Sequence, residues 1–216
     1  MIPRILIANP NTSTHITESL VKASRNLAGN RAEIVGATAA FGAPALESAQ
    51  DLRTAKDAVL DMLWGNRSCS GVLIAAFGDP GLALLRSSSR FPVEGLGEAG
   101  LLAAGADHRR FAILTLGPAM RAAILTKVDG LGLADQLSAL DFLECSVLDL
   151  ARDPQAHRDD ILRYAEAAAR NGGAEAVLLA GAPFSGLAGD IAAHAPIPVF
   201  DGLSAGVNRL LAALQR

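Results

Sequence analysis

The residues best suited to chemistry fall in four short loops, 9–14, 76–81, 115–120 and 181–186, each rich in small or polar residues and each behind an apolar run. In the first, Asn9-Pro10-Asn11-Thr12-Ser13 offers amides and hydroxyls at a helix start, where free N–H groups point outward and can hold a polar ligand. The same residues equally make an Asx-type turn and an N-cap. In the second, Phe77-Gly78-Asp79-Pro80-Gly81 carries a carboxylate able to serve as a general base. Asp-Pro is also an N-cap followed by proline at the first helical position. The third and fourth loops contribute Thr115 and the run Gly181-Ala182-Pro183.

Other chemical motifs weaken on inspection. Gly95-Leu96-Gly97-Glu98-Ala99-Gly100 matches the dinucleotide pattern GxGxxG. The run before it, Phe91–Glu94, is short and contains Pro92, and no acidic residue ends the next apolar run, so the match is read as coincidence. Glu98 either faces a cleft or opens a solvated helix. Ser185 lacks the first glycine of a nucleophile elbow and reads as an N-cap. His15, His108, His157 and His194 share no spacing with each other or with a cysteine, so no metal site is expected. Cys69 and Cys145 are far apart and read as inert buried thiols in a reduced, cytoplasmic setting.

The loops need elements to hold them. Short apolar runs near 4–8, 32–37, 71–76, 111–115, 145–149, 176–180 and 197–200 read as strands, apolar on both faces as in a parallel sheet covered by helices. Segments 45–64 and 156–171 have helical spacing, and a last helix fits 203–215. Strand–helix alternation predicts an α/β fold, in which ligands bind beyond the C-terminal ends of the strands. The four loops lie at such ends. The chain also repeats itself. GVLIAAFGDPGLA at 71–83 returns as AVLLAGAPFSGLA at 176–188, and RILIANPN at 4–11 resembles RFAILTLGP at 110–118, an offset of about 105–107 residues. That is too long for a solenoid period. It predicts two similar lobes, 1–105 and 106–201, with equivalent loops at one cleft and a C-terminal segment, 202–216, packed back on the first lobe. Half of the residues are hydrophobic, so a folded core is expected. A net charge of −3 without a basic run argues against nucleic acid. Prolines 183, 196 and 198 and Asp190 break the most apolar stretch, so no membrane span is expected.

Together ILIANPNTS, FGAPALES, IAAFGDPGL, RFAILT, AVLLAGAPFSGLA and PVFDGLSAGV resemble the hydantoin and allantoin racemase branch of the aspartate/glutamate racemase superfamily, over nearly the whole chain. The resemblance implies an α/β fold of two pseudo-symmetric lobes with parallel sheets flanked by helices. It implies a small hydantoin, ureide or amino-acid-like ligand between the lobes, no cofactor, no metal and a homo-oligomer. It places ligand contacts at Asn9, Asn11, Thr12, Phe77, Gly78, Thr115, Ala182 and Pro183, and oxyanion-stabilising N–H groups at 76–79 and 181–184. The family inverts a carbon next to a carbonyl with one cysteine per lobe, one thiolate taking the proton while the opposite thiol gives one. Here those two catalytic positions are Ala76 and Gly181, which the internal repeat also aligns. Leu116 and Pro183-Phe184 depart from the family pattern as well. Three readings follow: proton transfer by a new base, such as Asp79, Glu98 or water; a non-catalytic binder; or a pocket filled by Leu116 and Phe184.

Overall fold

Strands covered on both faces must be apolar throughout, and this dictates the centre of each lobe. The computed structural model describes residues 2–66 and 68–215. The first half runs β1 (Arg4–Asn9), α1 (Thr14–Ala28), β2 (Glu33–Thr38), α2 (Ala49–Gly65), β3 (Gly71–Ile74), α3 (Leu82–Ser88), β4 (Val93–Gly95) and α4 (Leu96–Ala104). The second runs β5 (Phe111–Thr115), α5 (Arg121–Gly130), β6 (Leu137–Phe142), α6 (Val147–Arg152), α7 (Arg158–Gly172), β7 (Ala176–Leu179), α8 (Leu187–Ala192), β8 (Val199–Asp201) and α9 (Gly202–Leu214). Among the described residues these strands form two four-stranded parallel sheets, ordered β2-β1-β3-β4 and β6-β5-β7-β8. The two orders are the same walk through corresponding strands, so the repeat seen in the sequence is a repeat of topology. No helix among the described residues is long and apolar enough to cross a membrane.

The central strands β3, β5 and β7 are buried along their whole length. In lobe one, Ile5, Ile7 and Leu73 face α1 through Ile16 and Leu20, while Leu6, Val72 and Ile74 face α2 and α3 through Val59, Met62, Leu82 and Leu85. In lobe two, Leu114, Val177 and Leu179 face α7 and α8 through Ile161, Ala165 and Ile191. Each aliphatic side chain buried this way contributes about 1.5–3 kcal/mol relative to exposure.

The last helix of each half packs on the other half. α4 places Leu101 and Ala104 among Phe111, Ile113 and Leu178 of lobe two, and α9 places Leu203, Val207, Leu210 and Leu211 among Ile5, Ile7 and Leu73 of lobe one. The two helices cross at close range. A Cβ on Gly100 would come 3.1 Å from Gly202 Cα, and one on Gly202 would overlap the Leu96 carbonyl oxygen.

The strand expected at 145–149 is not one. Ser146 accepts the Asp149 N–H at 3.1 Å and starts α6, while the partner of β5 is Leu137–Phe142. A β-branched residue behind a cysteine imitates a strand, but the Ser-x-x-Asp cap decides for helix. The true strand lies at a sheet edge, so it carries polar Ser138 and Asp141 and lacks the continuous apolar run of a central strand.

Candidate functional site

β1, β3, β5 and β7 all end on the same side, and the loops that leave them meet in a partly open cavity of about 140 Å³. A cavity of about 150 Å³ holds a benzene ring, so a single small ring fits. Ala76 leaves β3 and Gly181 leaves β7, and both line the cavity. Their loops are built alike. The Ala75 N–H donates to the Ala8 carbonyl at 2.9 Å and the Ala180 N–H donates to the Leu114 carbonyl at 2.8 Å, each the last rung between two central strands. Beyond these rungs both loops turn tightly: Asp79 N–H donates to the Ala76 carbonyl at 3.0 Å and Phe184 N–H donates to the Gly181 carbonyl at 3.1 Å. Among the described residues the N–H groups of Ala76, Phe77, Gly78, Gly181 and Ala182 donate to no backbone carbonyl. These five residues line the cavity, where such N–H groups could meet a carbonyl or anionic oxygen.

Of the residues expected here, Asn11, Phe77, Gly78, Thr115, Ala182 and Pro183 line the cavity. Asn9, Thr12 and Asp79 do not. Asn9 is fully buried, and its Nδ2 donates to Asn11 Oδ1, the Ser13 carbonyl and Thr17 Oγ1 at 2.9, 3.1 and 2.9 Å. It therefore fixes the turn and orients Asn11, whose Oδ1 also accepts the Ser13 N–H. What Asn11 can offer a ligand is its Nδ2. Thr12 donates its N–H to the Ala43 carbonyl at 3.0 Å, tying its loop to the one before α2. Thr115 Oγ1 donates to the Ala180 carbonyl at 2.7 Å and so holds the two strand ends together.

Asp79 does not cap the helix that follows it and does not line the cavity. α3 begins after Gly81, and Asp79 caps a different helix. Its φ of +49°, a conformation aspartate tolerates better than most residues, lets the carboxylate accept the Gly97 and Glu98 N–H groups of α4 at 2.8 and 2.7 Å. A third donor comes from the other lobe, Lys127 Nζ of α5 at 2.6 Å. Burial pushes the Asp79 carboxyl above the ordinary carboxylate value, against the pull of Lys127 and the two N–H groups. Gly95 and Gly97 serve this arrangement: a Cβ on Gly95 would overlap the Asp79 carboxyl, and one on Gly97 the Phe77 carbonyl oxygen. Glycines that matched a nucleotide motif are therefore packing requirements. Glu98 is paired with Arg86 at 2.7 Å and does not line the cavity.

The remaining candidates also lie elsewhere. Phe184 is fully buried in the core of lobe two, so it does not fill the pocket; Leu116 lines it without closing it. Ser185 is not the cap of α8, which is Gly186, and its buried hydroxyl has no partner. Cys69 and Cys145 are outside the lining, and burial raises both thiols, with Asp149 and Asp160 adding to the effect on Cys145. Among the described residues no cluster of His, Cys, Asp and Glu could hold a metal ion.

Lys127 is the site residue that sequence reasoning missed. A signal was present, because Ile124 and Val128 mark the buried face of α5 and Lys127 stands three residues after Ile124. Leu46, Leu52, Met120, Ile124 and Val147 supply apolar walls.

Comparison with known proteins agrees with this architecture. A model of the family described as Asp/Glu/Hydantoin racemase matches residues 5–210. The hydantoin racemase of Pseudomonas sp. (strain NS671) is 28% identical over 207 residues, covering 95% of this chain and 83% of that protein. The solved allantoin racemase from Klebsiella pneumoniae has a TM-score of 0.93 at 29% identity, over 99% of this chain and 88% of that one. A glutamate racemase from Bacillus anthracis, at 14% identity and a TM-score of 0.65 over 99% of this chain and 82% of that one, shares the fold.

Proposed function

This chain belongs to the Asp/Glu/hydantoin racemase family, and from that premise we propose that it binds a small hydantoin, ureide or amino-acid-like molecule between its lobes without two-thiol racemisation. One observation carries the reading: the two equivalent strand ends that border the cavity bear a methyl group at Ala76 and a hydrogen at Gly181. Inversion next to a carbonyl needs a base on one face of the carbon and an acid on the other. Neither residue can hold or release a proton. Cys69 and Cys145 lie outside the lining, and Asp79 is already engaged by three donors.

The free N–H groups of the two loops support binding of a carbonyl oxygen. They also favour a second reading, an isomerase or lyase that lets an acidic C–H exchange slowly, because donors aimed at a developing enolate oxygen lower the barrier even when water is the base. The reading invokes no cofactor. It takes the protein to be a cytoplasmic homo-oligomer, and the two free cysteines fit a reducing compartment.

The test follows the Cα–H signal by NMR in D₂O with L-allantoin, 5-substituted hydantoins, aspartate and glutamate, alongside melting curves. A ligand that binds the native state raises Tm by mass action. A raised Tm with at least one of these compounds, and exchange no faster than in protein-free controls, is the expected result. Exchange above the control rate establishes the second reading. No Tm shift and no exchange with any compound overturns both.

A further inference from the structure

The chemistry of the cavity wall is unbalanced. Lys127 is the one charged side chain among the described residues that line it. The Lys127 side chain keeps 20% of its surface exposed, against 2% for its partner Asp79. Of the two partners, Lys127 lines the cavity and Asp79 does not. Asp79 has donors besides Lys127. It accepts two N–H groups from the first turn of α4, whose helix dipole is positive there, and a full cation besides. The pair is neutral in formal charge, and the partner at the cavity wall is the cation.

The polar groups around it point the same way. Asn11 has its oxygen occupied and offers N–H, and the loops at 76–78 and 181–182 carry N–H groups that meet no backbone carbonyl, while Thr115, its proton spent on the Ala180 carbonyl, can only accept. Among the polar side chains of the lining, Asn11 and Lys127 are donors and Thr115 is the acceptor. Beside them stand the apolar side chains of Leu52, Met120, Ile124 and Val147. We propose that the ligand of this cleft is a small monocarboxylate with an apolar body, its carboxylate received by Lys127 and its body laid against α5 and Leu52. This rests on the reading that the cleft binds a small molecule, and it selects an anion over a neutral hydantoin or ureide.

The test uses phenylacetate, its uncharged isostere phenylacetamide, and 5-benzylhydantoin, titrated calorimetrically at neutral pH and low salt. Phenylacetate is expected to bind the native chain about tenfold tighter than phenylacetamide, the scale of one charge-assisted hydrogen bond. Lys127→Gln keeps a donor for Asp79 but loses the charge, and brings the two affinities within about twofold. The double variant Asp79→Asn/Lys127→Met removes both charges together, leaves no orphaned ion, and gives the same loss of preference if the single variant does not fold. If phenylacetamide or 5-benzylhydantoin binds and phenylacetate has no advantage, or its advantage survives in the variants, the anion inference is overturned and the cleft reading stands. If none of the three binds the native protein while L-allantoin raises its Tm, the anion inference falls and the cleft reading stands; if L-allantoin and the other compounds of the melting series also fail, both fall.

Discussion

Gly181 has φ of +131°, a conformation that side chains rarely adopt, and its missing Cβ would have only ordinary contacts at 3.7 and 3.8 Å to Pro183 and Phe184. What a side chain lacks there is a compatible backbone, not room. Ala76 stands in ordinary backbone, beside open space. The two equivalent positions therefore differ in what they can take. Gly181→Cys is expected to cost about 1–3 kcal/mol through backbone strain, and Ala76→Cys distinctly less, measured by urea denaturation. Equal costs would show that the loop at 181 relaxes freely. A protein given both thiols would thus still have to rebuild the geometry of its second loop. The internal repeat made Ala76 and Gly181 legible from sequence alone. It says nothing of Lys127, whose one signal is its place three residues after Ile124 on the buried side of α5.

At the scale of the element, α4 owes its position to residues far from it in sequence. Its first turn is capped by Asp79 and its glycines admit neighbouring backbone. Gly97→Ala drives a methyl group into the Phe77 carbonyl, and overpacking of this kind costs about 1–3 kcal/mol. The expected readout is a drop in Tm of about 2–4 °C for each kcal/mol lost. The contrasting variant, Gly189→Ala in α8, meets nothing within 4 Å and is expected to leave Tm unchanged or raise it slightly. Sequence patterning was informative where burial was complete. The central strands and the periodic helices α2, α7 and α9 stand close to where their apolar spacing puts them. It failed for β6, where one edge is exposed, and for Asp79, whose local Asp-Pro signal yielded to partners 18 and 19 residues onward.

For the whole molecule, the exchange of α4 and α9 means that neither sheet is covered by its own half alone. Leu101 and Ala104 leave lobe one to complete lobe two, and Leu203, Val207 and Leu210 do the reverse. The buried Asp79–Lys127 pair adds a polar tie across the same boundary. The lobes are alike in topology, as the sequence repeat implied. The return of 202–216 to the first lobe was expected from the sequence; the crossing of α4 was not, because an amphipathic helix does not say which sheet it will cover.

That exchange also bears on where such a chain can begin. α4 leads through residues 105–110 into β5 of the sheet it covers, and α9 ends beside the sheet that holds β1: a Cβ on Gly71, whose β1 partner is Ile5, would lie 3.5 Å from Leu214. The end of α9 thus stands to the start of β1 as the end of α4 stands to the start of β5. A circular permutant that joins residue 215 to residue 2 by a linker of about six residues, a common connection length, and opens between 105 and 110, is expected to fold to the same far-ultraviolet circular dichroism spectrum and to melt in one transition. Two transitions, or an unfolded product, would show that order along the chain matters more than the symmetry suggests. The arrangement has the form of a domain-swapped dimer drawn in one chain, with residues 105–110 as the join between its halves.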